Sequence, residues 1–554
     1  MLDLQRLRAD FPILGERIQG QPLIYFDNAA TTQKPNAVID AQSEYYRHSN
    51  ANVHRASHTL SSRATEAFER ARDTVARFLG AGRAREIVWT RGATEAINLV
   101  AQSYGRSVLR AGDLILLSTL EHHSNIVPWQ LLAQHCGARI EAIPMLDDGT
   151  LDQDAYQRLL QQGPRIVALT HASNALGTVN PVARMTRAAK AAGATVLIDG
   201  AQSAPHLAID VQALGCDFFV FSGHKLFGPT GIGALWAREA LLESMPPWQA
   251  GGEMIEHVSF RHTRYAGLPF KFEAGTPNIA GAIGLDAAIG YLQQFDRVAL
   301  ETHELQLLSR ALELCADIPG FRPIGTPTRR VSLMSFCIDG LHQQDLGLLL
   351  DQHGIAVRAG HHCAMPLMQR LGLDGTLRAS FAFYNSLEEV ERFAAVLAQL
   401  VREQTAGPEC AADAGTGPSP DILTRLEQCH GWQARYREIM LLGKNLAPMP
   451  ESLRTDTNRL HGCESHVWLA VEPRDGRLWL QMDSDARVIR GLIALLLAAF
   501  NGKRADDILA FDLSGYFERL QLMQHLSPSR GNGLKALVEA IHESARAITG
   551  TPRP

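Results

Sequence analysis

Short apolar runs recur through the first half of the chain in the order REIVW, DLILLS, RIEAIP, RIVALT, TVLIDG, DFFVFS and GALWA, with helix-like or loop stretches between them. Runs of this length and aliphatic content suit strands covered on both faces, as in a mainly parallel sheet wrapped by helices. After Gly284 the pattern becomes helical, returns to strands at RVSLMSFCI and LRASFAF, and closes with a helix from Leu387. It predicts an α/β unit over residues 1–403, with a large domain at about 20–285 and a small α+β subdomain built from about 286–403 and the N-terminus.

The pattern then breaks. From Gln404 to Pro420 the chain reads QTAGPECAADAGTGPSP, seventeen residues with three Gly, three Pro and no large aliphatic or aromatic side chain, the composition of a flexible linker. Beyond it, residues 421–548 show a helix from Ile422 to about Leu442, strands at HVWLAV and RLWLQM, and helices on to Ile548. A second, compact α+β unit is expected there.

Composition narrows the class. The 554 residues are 46% hydrophobic and 20% charged, ordinary globular values, and a net charge of −5 with no dense Lys/Arg block gives no reason to expect nucleic acid. The start, MLDLQRLRADFPIL, interleaves charges with its apolar residues, unlike a secretory signal, and the longest apolar run, Leu492 to Phe500, is far below the ~20 residues a bilayer span needs. A cytoplasmic protein with no membrane partner is expected. Eight cysteines, at 136, 216, 315, 337, 363, 410, 429 and 463, include no CxxC pair, so reduced thiols are expected rather than disulfides or a zinc knuckle.

In an open parallel sheet, ligands sit at the carboxyl ends of the strands, so the polar residues that follow each apolar run matter most. After REIVW comes TRGATEAIN, where a Gly-containing turn opens a helix and offers backbone N–H groups and the Thr94 hydroxyl to an anion; a plain N-cap is the alternative. After TVLIDG emerge Asp199 and then Gln202, and after DFFVFS emerge Ser222, His224 and Lys225. A lysine flanked by Phe221, Leu226 and Phe227 is expected to be partly desolvated, which frees an amine for Schiff-base chemistry, although most lysines are merely solvated. A phosphate-binding helix start, a strand-end carboxylate and a strand-end amine are together the three fixtures that pyridoxal phosphate requires. EHHSNIVPW adds His122, which reads as a ring-stacking residue or a loop histidine without a role, and HASNALG places Asn174 near a ring oxygen.

In order along residues 1 to 403, RGATEAIN, EHHSNIVPW, IDGAQSAPH, FSGHKLFGPTGIG, FEAGTPN and RAGHHCAMPL resemble the group II, SufS-type cysteine desulfurases of fold type I. The resemblance implies Lys225 as the Schiff-base lysine, Asp199 on the pyridine nitrogen and His122 stacked on the ring. It implies Gln202 and Asn174 on the ring oxygen, and Thr94, Ser222 and His224 on the phosphate. Thr276 would reach the phosphate of a neighbouring subunit in a homodimer. Arg378 would bind the carboxylate of L-cysteine, with Arg358 and Asn174 beside it.

Cys363 in RAGHHCAMPL reads from its residues alone as a metal ligand, a nucleophile or filler. No acidic or cysteine partner stands at ligand spacing, so no metal site is expected. Positive neighbours help to form a thiolate, the soft nucleophile that takes sulfur from a substrate thiol, and the resemblance assigns Cys363 as persulfide carrier. Residues 421 to 546 resemble the SufE-type sulfur acceptor through LLGKNLAP, a GC turn and RGLIALLLAAF, with GCES where that family usually has GCQS. The thiol there, Cys463, reads either as packing or as a loop-tip acceptor, and the resemblance selects the acceptor. The implied function is conversion of L-cysteine to L-alanine, with sulfur passing from Cys363 to Cys463 and on to iron–sulfur cluster scaffold proteins. A selenocysteine lyase or another enzyme of the same cofactor, and a non-catalytic sulfur-relay adaptor, are the alternatives. Seventeen flexible residues reach on the order of 20 to 25 Å, which puts the acceptor at an effective concentration near millimolar.

Overall fold

The structure is a computed structural model and describes residues 3–55, 57–405, 422–427, 429, 432–460, 466–520 and 528–549. The expected linker lies outside the described residues except for Gln404 and Thr405, which end a helix running Leu387–Thr405. Contacts divide the chain into two compact units, Met1–Asp339 with His353–Val401, and Gly340–Gln352 with Arg402–Pro554.

In the first unit the seven apolar runs become β1 (Ile87–Thr90), β2 (Leu114–Ser118), β3 (Arg139–Ile143), β4 (Ile166–Thr170), β5 (Thr195–Asp199), β6 (Phe218–Ser222) and β7 (Gly233–Ala237). They form one sheet in the order β1-β7-β6-β5-β4-β2-β3. Neighbours from β6 to β3 pair parallel, whereas β7 runs antiparallel to both β6 and β1. The expected α/β class with a mainly parallel sheet is borne out.

Side chains alternate across this sheet, as the pleat requires. Val88, Ile115, Leu117, Ala168, Leu197, Val220 and Leu235 join one buried cluster, while Ile87, Leu116, Val167, Ile198, Phe219, Phe221 and Trp236 join another. Both faces are therefore covered, which is why these strands read as continuous apolar runs rather than as alternation.

The rest of this unit packs a smaller antiparallel sheet, β8 (Phe321–Ile324), β9 (Leu333–Ile338), β10 (Arg358–Gly360) and β11 (Thr376–Ser380), in the order β8-β9-β11-β10. The N-terminal segment is sewn to it. Ile24 and Tyr25 pair parallel with Ile355 and Ala356, and the Ser380 N–H donates to the Phe26 carbonyl at 2.7 Å.

The second unit contains a sheet ordered β12 (Arg459–Leu460), β13 (Val467–Arg474), β14 (Arg477–Ser484) and β15 (Lys503–Arg504). Leu469, Leu480 and Met482 pack with Ile493, Leu496 and Ile541 into its core. Instead of one helix from Ile422 to about Leu442 there are two, α1 (Ile422–Glu427) and α2 (Trp432–Asn445). Cys429 lies outside both, its N–H bonded to the Leu426 carbonyl at 3.2 Å, in a stretch that contains the helix-disfavouring Gly431. The apolar run 487–500 is α3 (Arg487–Phe500), and it crosses α2 at glycines. A methyl group on Gly491 would stand 2.1 Å from the Ile439 carbonyl oxygen. Among the described residues, no helix is long and apolar enough to cross a membrane.

The glycine crossing makes a prediction. Gly491→Ala forces α2 and α3 apart and lowers the stability of the second unit by about 2 kcal/mol, the usual cost of overpacking a tight core. Chemical denaturation of the full chain, followed through the tryptophans at 432, 468 and 479, checks it.

Candidate active site

Because β2, β4, β5 and β6 are parallel, their carboxyl ends open on one edge, and the polar residues after them converge. A cavity of about 240 Å³ lies there, lined by Thr94, His122, Asn174, Asp199, Gln202, Ser222, His224 and Lys225. Arg358, Cys363 and Arg378 arrive on the same cavity from β10, the turn after it, and β11. Thr276 does not. It lies on a separate cavity of about 410 Å³ with Trp89, Glu95 and Gln249. Cys463, with its neighbours Gly462 and Glu464, lies outside the described residues.

One end of the cavity is suited to an anion. The helix Ala93–Val100 starts behind Gly92, and its first amide donates to the Ser222 hydroxyl at 2.9 Å. A Cβ on Gly233 would stand 2.6 Å from the Gly92 Cα, so the β7 backbone presses the helix start against the end of β6. Only glycine permits that approach. The remaining first-turn amides, with Thr94, point a partial positive charge toward the pocket.

The middle of the cavity holds opposed charges out of water. Burial pushes the Asp199 carboxyl up from its ordinary value, against the pull of an N–H bond from Ala201 at 2.9 Å and the Lys225 cation. Burial lowers the Lys225 amine to about 8, aided by the Arg378 and Arg358 cations and resisted by Asp199. His122 is lowered to about 3 by burial and by Lys225, and its Nδ1 accepts the Ser124 N–H at 3.1 Å. The ring is neutral at any physiological pH.

At the other end, Arg378 is only 2% exposed. It donates to Asp27 Oδ1 at 2.9 Å and to the Asn174 carbonyl at 2.8 Å, while its Nε has no hydrogen-bond partner among the described residues. A buried guanidinium N–H left open is costly unless a ligand takes it, and a carboxylate matches it. Arg358 stands 3.9 Å from the other oxygen of Asp27. The Gln202 amide donates to the Ala29 carbonyl at 2.6 Å, and the Asn174 amide donates to the His362 carbonyl at 2.6 Å.

Cys363 sits on a tight turn. His362 and Cys363 have φ of 52° and 55°, two successive non-glycine residues in the left-handed region. Each costs of order 1–3 kcal/mol, so the surroundings must hold them there. His362 Nε2 pairs with the Thr376 hydroxyl at 2.8 Å, and the Cys363 N–H donates to His361 Nδ1 at 3.0 Å.

Asp27 and Glu121, beside the site, are among the residues that the sequence pattern did not single out. Asp27 holds both arginines from 351 positions away in sequence from Arg378, a contact with no local signal. Glu121, next to His122, is fully buried; its carboxylate accepts bonds from the Thr170 N–H at 2.9 Å, the Asn125 amide at 2.7 Å and the Ser118 hydroxyl. Burial raises it to about 8. A carboxyl inside EHHSN was a signal in plain view.

The matched family models also divide the chain in two after residue 393, although Gly340–Gln352, grouped by contacts with the second unit, falls inside the first match. The Aminotransferase class-V model matches residues 24–393, two thirds of the chain. The chain belongs to the class-V aminotransferase family. A second family, the Fe-S metabolism associated domain SufE, matches residues 420–545. Similar proteins in class V include a probable cysteine desulfurase of Vibrio cholerae, 54% identical over 72% of this chain and 99% of that one. A cysteine desulfurase of Synechococcus elongatus is 51% identical over 72% of this chain and 64% of its own. The crystal structure of the Escherichia coli cysteine desulfurase CsdA, in its S-sulfonic acid form, superposes with a TM-score of 0.68 at 42% identity, covering 73% of this chain and 99% of that one.

Within that family frame the cavity fits pyridoxal phosphate on its own features. The glycine-cradled helix start suits the phosphate, the buried Asp199 suits a protonated ring nitrogen, and the desolvated Lys225 suits the aldehyde. The neutral fraction of Lys225 grows above its pKa of about 8. Capture of pyridoxal phosphate by the cofactor-stripped protein, followed by absorbance, therefore accelerates about tenfold from one pH unit below that value to one above. A rate flat across that window contradicts the assignment.

Proposed function

We propose that Cys363 takes sulfur from L-cysteine, leaving L-alanine, and that the sulfur passes to Cys463 of the fused acceptor domain for iron–sulfur cluster assembly. The protein is a pyridoxal phosphate-dependent cysteine desulfurase joined to a SufE domain. The observation that carries the reading is the presence of the Cys363 sulfhydryl on the same cavity as Lys225, Asp199 and Arg378. A transamination site has no use for a thiol there.

Arg378 and Arg358 hold the substrate carboxylate, with Arg378 Nε supplying the open donor. Thr94, Ser222 and His224 would hold the cofactor's phosphate, Gln202 and Asn174 its ring oxygen and Asp199 its ring nitrogen, with His122 to stack on the ring. When bound, the cofactor supplies a covalent anchor for the substrate amine and an electron sink for the carbon that loses a proton. Lys225 Nζ, its pKa near working pH, takes the Cα proton of the bound cysteine. The Cys363 sulfur attacks the substrate sulfur. A new S–S bond forms as the substrate C–S bond breaks, the bonding pair stays on the substrate carbon, which picks up a proton to become the methyl group, and Lys225 Nζ returns a proton to Cα to complete alanine. Cys363 is left as a persulfide. Thiol exchange at the outer sulfur then carries it to Cys463.

In the full assembly, residues 1–403 form the desulfurase, 404–420 a flexible linker and 421–548 the acceptor. The desulfurase part forms a homodimer in which Thr276 serves the neighbouring subunit's phosphate. Scaffold proteins for iron–sulfur clusters receive the sulfur, in the cytoplasm.

Two variants test the route. Cys363→Ser abolishes alanine formation from L-cysteine, a loss of at least about a hundredfold in kcat with little change in substrate binding. Cys463→Ser still forms one alanine per site, and further turnover becomes slow and dependent on added thiol. Alanine and sulfide assays with and without reductant measure both. A Cys363→Ser enzyme that retains cysteine desulfuration overturns the reading.

A further inference from the structure

His122 and His123 are adjacent, and only His122 lines the cofactor cavity. His123 turns toward the thiol segment. Its backbone N–H donates to the Cys363 carbonyl at 2.8 Å. Its Nε2 accepts the Met365 N–H at 3.0 Å. Its ring centroid lies 5.6 Å from that of His361, whose Nδ1 in turn accepts the Cys363 N–H at 3.0 Å. The two imidazoles thus hold the amide of Cys363 itself and that of Met365, within and just after the strained pair His362 and Cys363.

We propose that His123 is a positioning residue for Cys363, clamping the strained turn so that its sulfur stays aimed at the substrate in the cavity. The side-chain clamp acts through the Met365 N–H and the neighbouring His361 ring, not through the cofactor, and the backbone bond to the Cys363 carbonyl stands beside it. Such a bond needs Nε2 unprotonated, and burial together with the neighbouring His361 lowers the His123 pKa, which keeps the acceptor available. The arrangement divides labour between neighbours in sequence: one histidine serves the ring, the next serves the thiol. Both hang on the turn after β2, so the sulfur and the cofactor face share one support.

The inference rests on Cys363 being the sulfur acceptor, but its test reads the turn itself. In the full-length holoenzyme, alkylation of Cys363 by iodoacetamide is followed by peptide mass spectrometry beside kcat for alanine formation. His123→Ala keeps the backbone bond but loosens the turn at Met365: alkylation at Cys363 accelerates at least about threefold because the half-buried sulfur swings outward, while kcat falls about tenfold at unchanged KM and unchanged cofactor absorbance. His123→Gln, whose amide oxygen can accept the Met365 N–H, restores both toward the wild type. Alkylation at the wild-type rate or slower in His123→Ala overturns the proposal, as does a glutamine variant no better than alanine. Alkylation is measurable whether or not Cys363 carries sulfur, so failure here is distinct from failure of the Cys363→Ser test.

Discussion

A primary amine held out of water opposite a buried carboxylate is the constraint on which the site depends. Lys225 and Asp199 stand at the mouths of neighbouring parallel strands, and only a sheet covered on both faces can hold them there without solvent. Burial alone would discharge both. Each charge partly restores the other, and the Arg378 and Arg358 cations tilt the balance so that the lysine gives up its proton near pH 8 while Asp199 faces the lysine. The same arginines need Asp27, which reaches them from the N-terminal segment. The sheet, the N-terminal strap and the smaller sheet are thus coupled through a single network of charges.

Chemistry beyond proton transfer depends on a different kind of constraint. The thiol sits on backbone that non-glycine residues seldom adopt, and it persists because Thr376, Asn174 and His123 all bind the segment His362–Met365. Hydrogen bonds offset the conformational cost, so the sulfur is held rather than tethered. On the proposed route, a sulfur held this way gives up its cargo only when another thiol comes to it. On that route the SufE domain in the same chain, matched at residues 420–545, would bring such a thiol.

Much of this was legible from pattern because buried parallel strands leave continuous apolar runs. REIVW, DLILLS, RIVALT, TVLIDG and DFFVFS each became a strand, and Asp199, Ser222 and Lys225 lay at strand ends where ligand chemistry belongs. What stayed hidden was long-range. The pairing of Ile24 and Tyr25 with Ile355 and Ala356 is only two residues long, too short for any periodicity, and Asp27 meets Arg378 through it. The break between α1 and α2 was lost in a stretch whose apolar spacing looks continuous. Glu121 and His123 were passed over because they flank a residue with an obvious use; their roles appear only once the partners at Thr170, Asn125, Cys363 and Met365 are near.

The most direct test of the central claim is chemical mapping of the cofactor's attachment. Holoenzyme reduced with borohydride and digested should carry the pyridoxyl group on the peptide containing Lys225, with the label lost in Lys225→Ala. A label on any other lysine, or none on a protein that has bound the cofactor, would contradict the account.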